Sequence, residues 1–297
     1  MKIMIPTQIT DSMISDYALS YAEPSAWSSS VSYTAGNRVA VGKDIYECIT
    51  ANNNANPPEN TANFNWIYVG VSNKHKAFDN KINTKTESLG SISFTLTPND
   101  IINGITLFNV QCATVLIVMS DKVDGEVYRR EINMVSDANV EDLYDYLFAD
   151  FEQKSDITVF DLPPYRTASI SVTLTGASEE TVYLGMVLVG KVKTIGLLNW
   201  GVSVGIIDFS TKETDTFGNV TVVPRESSKR ANYDIDVETR QVDFIQKQLQ
   251  EYKTTPIVWV GSEQFETTIV YGYYRDFNQV IGNPMRSKCT VEVEGLI

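Results

Sequence analysis

Four aromatic side chains have the types and spacing that best suit ligand binding. Trp27, Tyr33, Tyr46 and Trp66 lie in or around a segment of glycine turns and short alternating stretches, YTAGNRVAVGKDIYECI (33–49). Aromatic rings stack on ligands with apolar faces, and the C–H face of a pyranose is such a face. The same rings are also what a module of about 45 residues, near the lower size limit for a stable core, has available to bury. The sequence therefore leaves two alternatives open, a sugar-binding platform and a small aromatic core.

Residue types that support catalysis are sparse elsewhere in the chain. His75 is the one histidine, and the lysines beside it would repel a metal cation. Glu263 and Glu266 stand three residues apart in a predicted turn, which favours solvated carboxylates over the positioned pair of a glycosidase. The segment GVSVG (201–205) lacks the Lys-Ser/Thr end of a phosphate-binding loop. We therefore expect no enzyme activity, no bound metal and no cofactor.

Composition and charge exclude several classes of function. The formal net charge is −13, whereas proteins that track nucleic-acid phosphates or adhere to anionic lipid need basic surfaces. No apolar run approaches the roughly 20 residues of a membrane-spanning helix, and the first residues lack the pattern of a secretory signal. Cys48, Cys112 and Cys289 are odd in number and have no CxxC spacing, which predicts neither a disulfide framework nor a metal site. We expect synthesis in a reducing cytoplasm.

Strand patterns dominate the sequence. Runs rich in Val, Ile, Thr and aromatic residues, most of them alternating with period two, predict strands over 91–97, 113–120, 168–175, 181–190, 256–261, 267–277 and 289–296. Two segments have helical periodicity instead. They are 139–151, with Val140, Leu143, Leu147 and Phe151 on one face, and 237–252, with Val242, Ile245, Leu249 and Tyr252 on one face.

Shifts in composition divide the chain into three predicted domains. The polar, Asn- and Pro-rich stretch 51–65 is a predicted loop, and the first module ends near Gly70. The predicted domains are an N-terminal segment with a small β-module (1–71), a β-sandwich (72–190) and a domain with the order strands, helix, strands (191–297).

Residues 26–70 resemble the chitinase-type carbohydrate-binding modules of families 5 and 12. The resemblance is carried by Ala26-Trp27, Tyr33, Gly36, Val39, Val41, Gly42, Tyr46, Pro57-Pro58 and Trp66. Chitin-binding members carry paired tryptophans after the second tyrosine, where this chain has ECITANN (47–53). The resemblance implies the frame of such a module, without its usual platform of paired tryptophans. It also implies sugar-binding roles for Tyr46, Trp66, Trp27 and Tyr33.

Two further resemblances cover the rest of the chain. AFDNKINTKTE (77–87) before the strand at 91–97, and PPYRTASISVTLTG (163–176) before VYLGMVLVG (182–190), resemble jelly-roll, galactose-binding-like sandwiches. Nearly the whole chain resembles a family of tail-associated structural proteins of tailed bacteriophages. The resemblance is strongest in the segments 201–225, 255–277 and 289–296. Together these imply a mainly β fold: a small β-module, a jelly-roll-like sandwich, and a C-terminal barrel- or sandwich-like domain with one helix.

The long polar run TKETDTFGNVTVVPRESSKR (211–230) suits an arm that becomes ordered against a neighbouring subunit; a mobile surface loop is the alternative. Its Arg225, Lys229 and Arg230 are candidates for pairing with acidic faces of neighbours. The phage-tail resemblance implies a virion protein of the tail tip, baseplate or hub, made in the host cytoplasm. Its expected partners are other tail proteins, copies of itself in a ring and host surface polysaccharide, with no nucleic acid and no membrane insertion. The alternative is a pure scaffold whose β-modules make only protein–protein contacts.

Overall fold

The computed structural model describes residues 1–51, 58, 65–136, 144, 152–177, 179–214 and 216–296. Antiparallel strands dominate these residues, so the predicted mainly β fold class is confirmed. The helix predicted over 139–151 lies outside the described residues, apart from Tyr144. Each strand predicted from its alternating pattern is present, with ends shifted by a few residues.

The elements follow one another along the chain in this order. The first strands are β1 (Lys2–Pro6), β2 (Ile14–Ala18), β3 (Arg38–Val41), β4 (Asp44–Cys48), β5 (Trp66–Val71), β6 (Thr86–Leu89), β7 (Ser91–Leu96), β8 (Gly104–Gln111), β9 (Thr114–Asp121), β10 (Gly125–Asn133), β11 (Val135–Ser136) and β12 (Glu152–Gln153). The later strands are β13 (Ile157–Val159), β14 (Ser169–Thr175), β15 (Thr181–Thr194), β16 (Leu197–Leu198), β17 (Ser203–Asp208), β18 (Thr211–Thr214), β19 (Val220–Val223), β20 (Ser227–Glu238), β21 (Ile257–Val260), β22 (Ile269–Val280) and β23 (Arg286–Gly295). The α-helices whose bounds lie within the described residues are α1 (Asn73–Lys76) and α2 (Val242–Glu251).

The middle of the chain folds into the predicted β-sandwich. Five strands form one sheet in the order β10-β9-β14-β7-β2. Inward side chains alternate along each strand, as Ile92, Phe94 and Leu96 do in β7, and they pack against residues of β8, β13 and β15 in the second sheet. Because each strand turns one face towards this core, the period-two pattern in the sequence directly produces the two layers.

The second sheet joins distant parts of the chain. Its eleven strands follow the order β13-β8-β15-β1-β21-β22-β23-β20-β16, with β6 added on β15 and β17 on β20. β1 lies in the middle, where Lys2 is opposite Thr194 on one side and Val260 on the other. Its Ile3 and Met4 are fully buried, and as successive strand residues they point into cores on opposite faces of the sheet.

The close approach of β1 to β15 requires a glycine. A Cβ atom at Gly190 would lie 2.1 Å from the backbone oxygen of Ile5, far inside any normal contact distance. Since Gly190 is opposite Pro6 in this strand pair, a larger residue there would push the two strands apart.

The C-terminal half of the second sheet curls into a half-barrel that packs against helix α2. Val242, Ile245 and Leu249 form one buried face of α2, which confirms the helix predicted in 237–252, although the α-helix begins only at Val242. These side chains share a core with Tyr233 and Trp259, whose polar atoms are satisfied by the backbone oxygens of β22 and of the turn before it. The predicted barrel-like domain with one helix is therefore confirmed.

Hydrogen bonds cross both predicted domain boundaries. β15 runs through the boundary placed at residue 190, and β1 pairs with β15 and with β21 in the third predicted domain. β2 pairs with β7 of the sandwich, which leaves β3, β4 and β5 as the sheet formed wholly within 1–71. The division into 1–71, 72–190 and 191–297 as folding units stays a prediction.

Candidate functional site

The small β-module is a three-stranded antiparallel sheet in the order β3-β4-β5. Gly42, with φ +60°, supplies the left-handed backbone of the tight turn between β3 and β4. A parallel bridge between Ala26 and Ala40, with the Trp27 N–H donating to the Ala40 oxygen at 2.9 Å, attaches the preceding segment to this sheet. The glycines and valines of the opening motif thus form the turns and strands of this small sheet, and its likeness to a carbohydrate-binding module stays a prediction.

The four predicted sugar-binding aromatics are largely used by the module itself. Tyr33 and Trp66 are only 6% and 7% exposed, and their rings meet edge to face with centroids 5.2 Å apart. Val39 and Cys48 complete this core, and Trp27 and Tyr46 pack against it while partly buried. Tyr33 and Trp66 therefore have little surface to offer a ligand. The sugar-binding role of the four residues stays a prediction.

Tyr68 is an aromatic residue that the sequence reasoning missed. It lies opposite Tyr46 in the β4–β5 pair, with the two rings edge to face at 5.8 Å, yet 53% of its surface is exposed. Its position two residues after Trp66 in the same strand is the signal that places it on the same face. Partial burial raises the pKa of the Tyr68 phenol above its ordinary value of 10, and the negative charges of Asp44, Tyr46 and Asp79 act in the same direction. A tyrosine hydroxyl is a hydrogen-bond donor at neutral pH with or without this shift.

A cleft of about 350 Å³ opens beside Tyr68, between the module and the larger sheets. Its polar lining includes Lys43, Asp44, Asp79, Asn80 and Lys81. The Asp79 carboxylate already accepts hydrogen bonds from the Thr84 hydroxyl at 2.8 Å and the Lys81 N–H at 2.9 Å, which holds this wall of the cleft in place. An exposed ring beside fixed carboxylate, amide and ammonium groups is the chemistry that a polyhydroxylated ligand with one apolar face requires.

His75 lies in α1, a single helical turn of polar residues. Its Nδ1 is 2.7 Å from the Ser72 hydroxyl, and its Nε2 is 3.7 Å from an Asp11 carboxylate oxygen. Burial lowers the pKa of His75, with the nearby Asp11 charge acting in the opposite direction. Because Ser72 is only 6% exposed, its hydroxyl has little access to an external substrate, and the three residues act as a local polar network.

The other candidates for catalysis have partners or settings of their own. Glu263 forms a salt bridge with Lys2 at 2.6 Å, and Glu266 accepts a hydrogen bond from the Ser155 N–H at 3.2 Å. The segment GVSVG also has the GxSxG spacing of a nucleophile elbow, which the sequence reasoning overlooked. Its Ser203 opens the exposed edge strand β17, whereas an elbow places its serine in a turn between a strand and a helix. Within the described residues, no group of three His, Cys, Asp or Glu side chains is arranged to hold a metal ion.

The second candidate region is a two-stranded arm, residues 203–214 and 216–229, made of β17, β18, β19 and the start of β20. β17 pairs with β20, and beyond a bend β18 pairs with β19 as a hairpin attached to no other described sheet. The Ser210 hydroxyl, bonded to the N–H and oxygen of Arg225, joins the two strands at this bend. The exposed apolar residues of the arm are Val204, Ile206, Phe209, Phe217, Val220, Val222 and Val223.

The three basic residues predicted to contact neighbours differ in their surroundings. Lys229 forms an ion pair with Asp156, and Arg230 forms one with Glu292, so both have acidic partners within the chain. Arg225 is exposed and has no ion pair with any described residue. Of the three, it is the residue best placed to reach a neighbour, and the assembly role of all three stays a prediction.

A pocket of about 470 Å³ lies at the base of the arm. Its apolar walls are Leu198, Trp200, Val202, Val204 and Phe265. None of the described residues that line it carries a charge, and Trp200 is 94% exposed at its rim. An uncharged apolar pocket beside an exposed edge strand is typical of a protein–protein contact.

The chain was compared with models of known protein families and with the sequences of curated proteins. No model of a known protein family matches it, and no curated protein matches its sequence. In the part of the chain that the structure describes, none of the helices combines the length and the apolar character needed to cross a membrane.

Proposed function

We propose that this chain is a structural subunit of a phage tail, built into a ring at the tail tip, baseplate or hub through its C-terminal half. The arm carries the proposal. A two-stranded ribbon is at best marginally stable alone in water, and this one exposes apolar side chains along its length. Covering it with another protein would satisfy both its open edges and its apolar residues.

The resemblance to phage tail proteins supports the same assignment. One of the segments that carry it, 201–225, coincides with most of the arm. In such a ring the small β-module and the sandwich face outward, and repetition around the ring multiplies any weak contact they make with a cell surface.

The test is complementation of a phage that encodes this chain and whose own copy of the gene is disrupted. The chain is supplied intact, or with 209–226 replaced by an Asn-Gly turn that reconnects β17 to β20. We expect mass spectrometry and immunogold labelling to find the intact chain at one end of the tail of purified particles. The shortened chain should fold, as judged by circular dichroism, but be missing from the particles. Absence of the intact chain from purified particles would show that the proposal is wrong.

A second candidate function is weak binding of host surface glycans at the cleft beside Tyr68. The specific observation is the exposed Tyr68 ring, held edge to face against Tyr46 beside the polar cleft. A pyranose stacked on Tyr68 would present its hydroxyl groups to Asp44 and the other polar residues of the cleft.

Glycan arrays and polysaccharide pull-downs with the full-length chain test this second function. Loss of one stacked ring costs about 0.5–1.5 kcal/mol, so Tyr68→Ala should weaken binding roughly 2- to 13-fold. Tyr21→Ala, which removes a similarly exposed tyrosine that does not line the cleft, should leave binding unchanged. If the assembled chain retains no polysaccharide, the β-modules serve as a scaffold that makes only protein–protein contacts.

A further inference from the structure

The arm and the pocket at its base are two complementary surfaces carried by the same chain. Residues 216–224, TFGNVTVVP, contain no charged side chain. Val220 and Val222 stand on one face of β19 and are 61% and 52% exposed, although apolar side chains of this kind are stabilised by burial. The pocket walled by Trp200 and Phe265 includes Val204 from the base of the arm, but no residue of 216–224 lines it, so its apolar walls are not covered by that segment of their own chain.

The charge of the chain restricts where two copies can meet. With a formal net charge of −13, copies repel one another, and this repulsion is weakest where both surfaces are uncharged. The arm segment 216–224 and the described lining of the pocket are both uncharged. A strongly basic partner would be drawn to the acidic surface of the chain and would gain nothing from an uncharged pocket. Because every copy of the chain carries both of these uncharged surfaces, they favour a second copy as the occupant.

We propose that residues 216–224 of one copy dock in the Trp200–Phe265 pocket of a second copy. The inference rests on the proposed assembly function and names its partner and contact. Because the arm segment and the pocket are different surfaces, the contact is head to tail, and repeating it builds a closed ring or an open filament. Docking covers the valines of the arm and moves the Trp200 indole from water into an apolar contact.

The test uses full-length chains with one surface disabled at a time. The arm variant is Val220→Lys with Val222→Lys, the pocket variant is Trp200→Lys, and the control is Val123→Lys, an 89% exposed valine in the β9–β10 turn. Circular dichroism and unfolding midpoints first establish that each variant folds. Sedimentation velocity should show concentration-dependent association of the intact chain and the control, weakened roughly tenfold or more in either disabled variant.

Mixing the two disabled variants gives the decisive result. Each retains one intact surface, so a head-to-tail contact predicts that the mixture forms dimers that neither variant forms alone. Trp200 of the arm variant should then emit at shorter wavelength, because its indole leaves water. If the intact chain remains monomeric at the highest attainable concentration, or if the mixture forms no dimers, the inference is wrong. Incorporation of the intact chain into particles despite that result would leave the proposed function standing, with a different protein as the partner of the arm.

Discussion

Lys229→Met tests whether this lysine stabilises the fold or remains available to a neighbour. Its ammonium group pairs with the carboxylate of Asp156, a residue that is only 8% exposed. The other oxygen of Asp156 accepts a hydrogen bond from the Asn109 N–H at 3.1 Å. Lys229 belongs to β20 and Asp156 immediately precedes β13, so the ion pair links the half-barrel to the sandwich. Methionine keeps most of the length of the side chain and removes its charge.

The size of the effect follows from the burial of the two partners. Removing one partner of a fully buried ion pair costs about 3–5 kcal/mol, because the other charge is left uncompensated. Here the lysine side chain is 43% exposed, so water reaches the pair, and Asp156 keeps its bond to Asn109. We therefore expect Lys229→Met to lower the free energy of unfolding by about 1–3 kcal/mol, intermediate between a surface pair and a buried pair.

Urea denaturation followed by tryptophan fluorescence measures this loss. Arg225→Met is the matched control, since Arg225 is exposed and forms no ion pair with a described residue, and it should change the free energy by no more than about 0.5 kcal/mol. Combining Lys229→Met with Asp156→Asn should cost less than the sum of the single changes, because the charge left uncompensated is then removed. If Lys229→Met matches the control, the ion pair does not stabilise the fold and Lys229 remains available for contacts with a neighbour.

Three further predictions concern the strands, the thiols and the dependence on pH. Gly190→Ala should lower the free energy of unfolding by about 1–3 kcal/mol or prevent folding, because its Cβ would meet a backbone oxygen of β1, whereas Gly282→Ala, with open space around it, should change little in the same urea titration. Burial raises the pKa of the Cys112 thiol to about 12, so a thiolate-directed reagent should leave it unmodified at pH 8 until urea is added; rapid native labelling would contradict its burial. Burial lowers the pKa of His75 below its ordinary value of 6.5. At pH values just below 6.5, His75 therefore binds more protons in the unfolded chain than in the folded chain. Stability should therefore fall as the pH drops through that region, and His75→Gln should remove this part of the slope in urea titrations at several pH values.

The strands that could be predicted from the sequence are those in which alternating apolar residues form the core. In β7 and β14 every second residue is apolar and buried, so period two alone identified them, whereas β9 was identified by its continuous apolar run from Val115 to Met119. β20 alternates as strictly through Ala231, Tyr233, Ile235 and Val237, but its outward positions carry Asn232 and acidic residues, and the sequence reasoning treated its first residues as part of a polar loop. Propensity was a poor guide there, because the outward face of an antiparallel sheet tolerates polar residues.

The candidate sites depended on long-range pairing that no local pattern contains. The sequence identified the aromatic module but left open which rings are buried. Tyr33 and Trp66 fill the core, whereas Tyr68 is exposed at the point where the register between β4 and β5 becomes irregular. In the same way, the polar run after residue 210 was predicted as an arm, but the sequence did not show that Lys229 reaches Asp156. Local composition therefore located both regions, and tertiary contacts decided which of their side chains are accessible.

The central position of β1 has a consequence for the order of folding. Lys2 and Met4 leave the ribosome long before their partners on one side, Val260 and Val258, are synthesised. At about 5–20 residues per second, translation separates the two by roughly 10–50 s. Once β15 has been made, β1 can pair with it but not yet with β21, so the growing chain carries an unpaired apolar strand edge until β21 emerges. Completion of the half-barrel is therefore a late, slow step of high contact order, and it sets the period during which nascent chains are most exposed to aggregation.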